Sequence, residues 1–164
     1  MSNTQKRLAL VTGGSRGIGR AIALHLASCG YRVAVNYQSA QGAAEELVQS
    51  ICSSGGEAAA FQADVSDSDQ VKALFKDVSE KMGSVEVLVA NAGVTRDNLL
   101  MRMKDEDWQK VLTTNLNSVY YCTREAIRPM MKARYGRIIA ISSVVGLTGN
   151  AGQANYAAAK AGVL

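Results

Sequence analysis

Tyr156 and Lys160 stand four residues apart near the end of a 164-residue chain, a spacing that puts both on one face of a helix. A phenol with an ordinary pKa of about 10 is a poor acid–base group at neutral pH, and a neighbouring ammonium favours its ionised form. Such a pair can exchange a proton with a substrate oxygen. A Tyr and a Lys at this interval also occur by chance on exposed helices, so the surrounding residues decide. Ser142-Ser143 closes the run Arg137-Ile138-Ile139-Ala140-Ile141, and a hydroxyl there can hydrogen-bond a substrate carbonyl and help polarise it. Its alternative is a Ser that turns or caps the next loop. Asn115, flanked by Thr113, Thr114 and Asn117, lies in a polar stretch between Leu112 and Leu116. A buried amide there needs partners: either a water near Lys160 or a structural hydrogen bond to a neighbouring strand.

Leu8-Ala9-Leu10-Val11 runs into Thr12-Gly13-Gly14-Ser15-Arg16-Gly17-Ile18-Gly19. These glycines do not match the G-x-G-x-x-G fingerprint, because Gly17-Ile18-Gly19-Arg20-Ala21-Ile22 ends on Ile. The physics carries over all the same. A backbone without Cβ atoms turns tightly and brings its N–H groups, with a helix N-terminus, against a pyrophosphate; the alternative is a plain strand-to-helix turn. An NAD site of this kind places an acid at the end of strand 2, about 20 residues on. Asn36-Tyr37-Gln38 occupies that place, and no acid lies between Arg20 and Glu45. Arg16 sits inside the loop, where it can pair with a 2′-phosphate; a solvated cation is its alternative, and Arg32 is a weaker competitor inside the strand pattern. NADP(H) is therefore expected over NAD(H).

The elements that must position these groups alternate. After strand 8–11 and the loop, Ile18, Ile22 and Leu26 recur at helical spacing until Gly30. Strand 32–35 precedes a helix marked by Ala43, Ala44, Leu47, Val48 and Ile51 and ended by Gly55-Gly56. A weak strand over 58–63 leads to the cap candidates Ser66-Asp67-Ser68-Asp69 and a helix with Val71, Leu74, Phe75, Val78 and Met82 on one face, closed by Gly83. Strand 85–89, one long helix over about 105–133 with its last turns kinked at Pro129, strand 137–141 and a helix beginning at Asn155-Tyr156 complete the order. Five strands alternating with helices predict an α/β fold, a Rossmann-like doubly wound parallel sheet of order 3-2-1-4-5. In such a sheet the ligand lies at the carboxyl ends of the strands, beside the crossover between strands 1 and 4.

Composition narrows the class. With 48% hydrophobic and 20% charged residues and a single Pro, the chain is globular rather than disordered, collagenous or mucin-like. No run approaches the ~20 apolar residues of a membrane span, and Met1 to Arg7 do not read as a signal peptide. Cys29, Cys52 and Cys122 form no C-x-x-C pair, so neither a disulfide framework nor a metal site is expected and a reducing compartment fits. The net charge of +4 is scattered, so nucleic acid is not an expected partner. His25, the only histidine, falls mid-helix, which argues against a Ser-His-Asp hydrolase.

Taken in order, Thr12 to Gly19, Asn91-Ala92-Gly93, Asn115, Ser143 and Tyr156-Ala157-Ala158-Ala159-Lys160 resemble the short-chain dehydrogenase/reductase signature. Within that family, the stretch from Gly93 to Met103, Ser143 to Gly146, and Gly152 to Tyr156 are most similar to bacterial-type 3-oxoacyl-[acyl-carrier-protein] reductases. The resemblance implies NADPH-dependent reduction of a 3-oxoacyl thioester on acyl carrier protein during fatty acid elongation; acetoacetyl-CoA reduction is the alternative that shares these motifs. It implies Tyr156 as proton donor, Lys160 on the nicotinamide ribose and lowering the Tyr156 pKa, Ser143 orienting the carbonyl and Asn115 supporting a proton relay. Gly13, Gly14, Ser15, Arg16, Gly17, Ile18, Gly19, Asn36, Asp64, Val65, Asn91, Ala92 and Gly93 would hold the cofactor, with Asp64-Val65 at the adenine. Ser143, Gln153 and Tyr156 would face substrate, and Arg134 would help dock the acidic carrier protein. A cytoplasmic or organelle-matrix homotetramer is implied. The chain departs at Val89-Ala90-Asn91, where relatives commonly have a second Asn in place of Ala90. The enzymes it resembles also continue past the Tyr/Lys helix, so residues 1–164 are expected to form a single NADP-binding domain without the family's C-terminal strands. An inactive nucleotide-binding fragment is the competing expectation.

Overall fold

The computed structural model describes residues 6–164; Met1 to Gln5, most of the opening segment that does not read as a signal peptide, lie outside the described residues. The chain runs β1 (Leu8–Val11), α1 (Gly17–Ser28), β2 (Arg32–Tyr37), α2 (Gln41–Ser53), β3 (Glu57–Gln62), α3 (Ser68–Met82), β4 (Val87–Ala90), α4 (Asp105–Leu112), α5 (Ser118–Ala133), β5 (Arg137–Ala140), α6 (Val145–Thr148) and α7 (Ala154–Ala161). All strand pairs are parallel, in the order β3-β2-β1-β4-β5. That is the predicted α/β architecture.

β1 is buried along its whole length, because helices cover both faces of the sheet and leave no solvent side for alternation. Its residues point alternately to two layers. Leu8 and Leu10 join the apolar faces of α3 and α5 through Leu74, Phe75, Val78, Cys122 and Ala126. Ala9 and Val11 join those of α1 and α2 through Ala23, Ala44 and Leu47. With the strands clamped between two cores, the turns at their carboxyl ends are held at a fixed height.

Several expectations need correction. β4 begins at Val87 rather than at residue 85, because pairing with β1 starts at Ala9 and Val87. Glu86 still contributes: its N–H donates to the Leu8 carbonyl and its carboxylate accepts from the Leu8 N–H. The long helix is two helices joined by a π-helical turn, Thr113–Asn117. The polar residues that interrupt its apolar pattern cause this, since side chains there compete for the backbone. The Thr113 hydroxyl donates to the Gln109 carbonyl and that of Ser118 to the Thr114 carbonyl. The end of the stretch stands as expected: α5 runs to Ala133 with Pro129 inside it and Met130 buried in the core.

Among the described residues β5 pairs only with β4, and Ile138 and Ile139 on it are 39% and 46% exposed. It is an open sheet edge. Among the described residues no helix is long and apolar enough to cross a membrane.

Candidate active site

The turn after β1 is shaped by close approaches that only glycine allows. Gly13 has φ +60, and a Cβ on it would stand 3.0 Å from Ala92 Cα. A Cβ on Gly19 would overlap the Gly13 carbonyl oxygen and stand 2.6 Å from Asn91 Nδ2. Asn91 ties this turn to the end of β4, its side-chain amide donating to the carbonyls of Thr12 and Gly13. Thr12 completes the latch: its hydroxyl oxygen accepts from the N–H groups of Asn91 and Ala92 at 3.0 and 3.1 Å. Thr12 heads the glycine motif, but its latching role is one that residue type alone does not reveal, because its partners lie at the end of the opposite strand.

Arg20 is the first residue of α1 to donate back along the helix, to the Arg16 carbonyl. The N–H groups of Gly17, Ile18 and Gly19 therefore have no intrahelical acceptor and face outward, as at any helix start. α1 has no acidic residue in its first turn and no side-chain cap. An anion fits there on charge and hydrogen-bonding grounds. A cleft of about 280 Å³ opens at this point, bounded by Gly13, Ser15, Arg16 and Ile18, by Asn36 to Ala40, by Ala63 to Val65, and by Asn91 to Val94 with Thr114. Ile18, whose spacing places it on the apolar stripe of α1, is 64% exposed and forms the cleft wall instead.

Asn36 is in the cleft lining, but its side chain is given to the protein. It is 1% exposed; its oxygen accepts from the Gly13 N–H, and its amide donates to the carbonyls of Tyr37, Phe61 and Ala63. Arg16 is exposed, whereas Arg32 is occupied at the amino end of β2 by the carbonyls of Lys6 and Met82 and by Glu57. Of the two, Arg16 alone reaches the cleft. Asp64 lies at its far wall. Burial pushes this carboxyl up, but Ser66 through hydroxyl and N–H, then Lys110 and Gln38, outweigh that and hold it below the usual carboxylate range.

Tyr156 and Lys160 share a face of α7, with Lys160 Nζ 5.8 Å from the Tyr156 ring centroid. Lys160 is 5% exposed and donates to the Ile141 carbonyl at the end of β5. Its burial pushes the ammonium below the ordinary lysine range. Ser142 Oγ donates to the Lys160 carbonyl at 2.7 Å, so β5 and α7 are pinned to each other. Ser143 follows at this junction, its Oγ accepting the Val145 N–H at 3.2 Å, which meets the turn alternative while leaving its proton free to donate. Gln153 binds Asp97 and Asn150.

Ser143, Tyr156 and Lys160 do not line the cleft; the segment after β4 joins the two regions. Asn115, fully buried, holds that segment from both sides, its Oδ1 accepting the Val94 N–H at 2.8 Å and its Nδ2 donating to the Val94 carbonyl at 2.9 Å. Its partner is thus a loop residue and not a strand. Arg134 is not brought to the site. It caps α5 in the left-handed conformation, φ 52, at the amino end of β5, whereas Ser143 follows the carboxyl end. Cys122 is no candidate nucleophile, since burial, then the Glu125 charge, push its thiol up to about 12.

A family model described as short chain dehydrogenase matches residues 7–164. The chain is 56% identical over 156 residues to the 3-oxoacyl-[acyl-carrier-protein] reductase FabG of Staphylococcus aureus, covering 95% of this chain and 63% of the relative. It is 52% identical over 164 residues to the 3-oxoacyl-[acyl-carrier-protein] reductase of a Synechocystis species, covering 100% of this chain and 66% of that one. The corresponding Staphylococcus epidermidis protein is 53% identical over 156 residues, 95% and 64% of the two chains. The chain thus spans a little under two thirds of the length of these relatives. The matched residues include every element that builds the cleft and the Tyr/Lys helix, and the chain belongs to the short-chain dehydrogenase family.

Proposed function

We propose that this chain carries the cofactor cradle and proton-donating residues of an NADPH-dependent oxidoreductase that reduces a 3-oxoacyl thioester on acyl carrier protein, as in fatty acid elongation. The observation that carries this reading is the direct linkage of two regions. Arg16 and an acid-free helix start lie at one end of a segment that reaches the helix of Tyr156 and Lys160. The names of the relatives, 52–56% identical, supply the substrate class.

The residues present fit such a cofactor. The glycine turn and the outward N–H groups of α1 would take a pyrophosphate, Arg16 a 2′-phosphate, and Asp64 with Val65 the adenine end. When bound, the nicotinamide supplies the hydride. Ser143, its hydroxyl proton free, donates a hydrogen bond to the substrate carbonyl and draws charge toward oxygen. Tyr156 delivers the proton to that oxygen, and the Lys160 ammonium on the same helix face stabilises the phenolate left behind. Asn115 keeps the backbone at Val94 in register for both halves.

Carrier-protein docking at Arg134 would lie at the amino end of β5, the opposite end of the strand from Ser143. A cytoplasmic homotetramer built around residues 1–164 as one NADP-binding domain completes the proposal.

The test follows NADPH oxidation with acetoacetyl thioesters of acyl carrier protein and of CoA, in wild type and Tyr156→Phe. Turnover that prefers the carrier-protein thioester and is lost in the variant supports the reading. Preference for CoA moves the assignment to acetoacetyl-CoA reduction, retention of rate in Tyr156→Phe removes the proton role, and NADPH binding without turnover leaves a nucleotide-binding unit.

A further inference from the structure

Asn155 is fully buried and precedes Tyr156; it falls inside a motif stretch, yet neither the resemblance nor the mechanism above gives it a role. Both its amide nitrogen and its amide oxygen are engaged, across three segments. Its Nδ2 donates to the Arg96 carbonyl at 2.9 Å and to the Asp107 carbonyl at 3.4 Å, while its Oδ1 accepts the Tyr156 N–H at 2.8 Å. We propose that Asn155 is a positioning residue that fixes Tyr156 by pinning the first turn of α7 to the segment after β4 and to α4, an inference that rests on the proton role given to Tyr156.

The geometry makes this pin necessary. α7 has eight residues and no side-chain cap at its start, so it is too short to be stable by itself and takes its orientation from tertiary contacts. Its buried residues are Asn155, Ala159 and Lys160. Lys160 and Ser142 hold the last turn against the end of β5. Asn155 is the corresponding polar anchor at the first turn, and Tyr156 lies between the two. Gly152 and Gln153 reinforce the same seam, through the Asn98 N–H donating to the Gly152 carbonyl and the Gln153 amide donating to Asp97. The Gln153 bond is exposed, whereas the Asn155 bonds are partly buried around a fully buried side chain.

The anchor also reaches the cleft. Arg96 is two residues beyond Val94, which Asn115 clamps and which lines the cradle. An unbroken path of hydrogen bonds and chain therefore runs from the cradle wall through Val94, Arg96 and Asn155 to the Tyr156 backbone.

The experiment uses the full chain labelled with 13Cζ-tyrosine and 15N, the Tyr156 signals being assigned with Tyr156→Phe. Asn155→Ala removes all three bonds; Asn155→Asp keeps an acceptor for the Tyr156 N–H and loses both donors. In both variants the Tyr156 Cζ and amide resonances move or broaden, while those of Tyr37, buried at the end of β2, stay in place and report an intact sheet. In thioester reduction by NADPH, kcat falls roughly tenfold or more with KM for NADPH within about twofold, as misplacement of a reacting group predicts. Tyr156 resonances unchanged in Asn155→Ala overturn the proposal, as does a change that moves Tyr37 equally, because that is loss of fold. The resonances are read without cofactor or substrate, so the result is separable from failure of the reductase assignment, which NADPH titration of the wild type decides.

Discussion

Gly19→Ala sets two effects of opposite sign against each other. Alanine in place of glycine inside a helix is worth about 0.8–1.0 kcal/mol of added stability by intrinsic propensity. At Gly19 the new methyl group would overlap the Gly13 carbonyl oxygen and stand 2.6 Å from Asn91 Nδ2. Two of the groups it meets are backbone atoms of Gly13, which cannot rotate away, so the turn itself must shift. Overpacking of this kind costs about 1–3 kcal/mol, and loss of the 3.2 Å bond from Asn91 to the Gly13 carbonyl adds about 1 kcal/mol. The clash wins. The net is a destabilisation centred near ~2 kcal/mol, or about 4–8 °C in the melting temperature of a domain this size. Gly42, in the first turn of α2 with nothing within 4 Å of where a Cβ would stand, is the internal comparison, and Gly42→Ala is expected to be neutral or stabilising by up to about 1 kcal/mol. Thermal unfolding and NADPH titration of the two variants make the assay. Gly19→Ala should also lose roughly tenfold or more in NADPH affinity, because the moved turn carries the N–H groups proposed to take the pyrophosphate. A Gly19→Ala protein that melts with Gly42→Ala and binds NADPH like the wild type refutes the close-packed turn as the basis of the cradle.

Two further outcomes follow from buried polar groups. Asn36→Ala removes the acceptor of the Gly13 N–H and the donor to three carbonyls; a loss of about 1–3 kcal/mol is expected in denaturant unfolding, and a change near zero would show that Asn36 does not hold the turn. Lys160 is held below the usual lysine value of 10.5 by burial, so the unfolded chain binds the proton more tightly and stability rises with pH in the window below 10.5. Lys160→Met removes that rise; wild-type and variant melting temperatures that run parallel between about pH 8 and 10 would contradict the shift.

The sheet order was legible because the strands are near-continuous apolar runs between helices with clear faces, as in Val71, Leu74, Phe75, Val78 and Met82, all buried. Strand ends were not, since pairing decides them: β2 extends to Tyr37 because Asn36 and Tyr37 pair with Phe61 and Gln62. The glycine turn, Tyr156 and Lys160 carried their own chemical signature. The π-helical turn did not, because a polar stretch in a helix pattern gains its meaning only from Val94, about twenty residues away in sequence, which Asn115 grips. The bonding roles of Thr12 and Asn155 were illegible for the same reason, although both fall inside the motif stretches. Their partners, Asn91 and Ala92 for one and Arg96 and Asp107 for the other, meet them only in the folded chain.

The central claim is that the cleft at the carboxyl ends of β1, β2 and β4 takes a 2′-phosphorylated dinucleotide with Arg16 on that phosphate. Calorimetric titration of NADPH and of NADH into wild type and Arg16→Ala tests it most directly. Tighter binding of NADPH by roughly tenfold or more in the wild type, with that preference abolished and NADH binding little changed in Arg16→Ala, is the predicted result for one charge-assisted contact. Equal weakening of both cofactors in the variant, or no binding of either by the wild type, would contradict it.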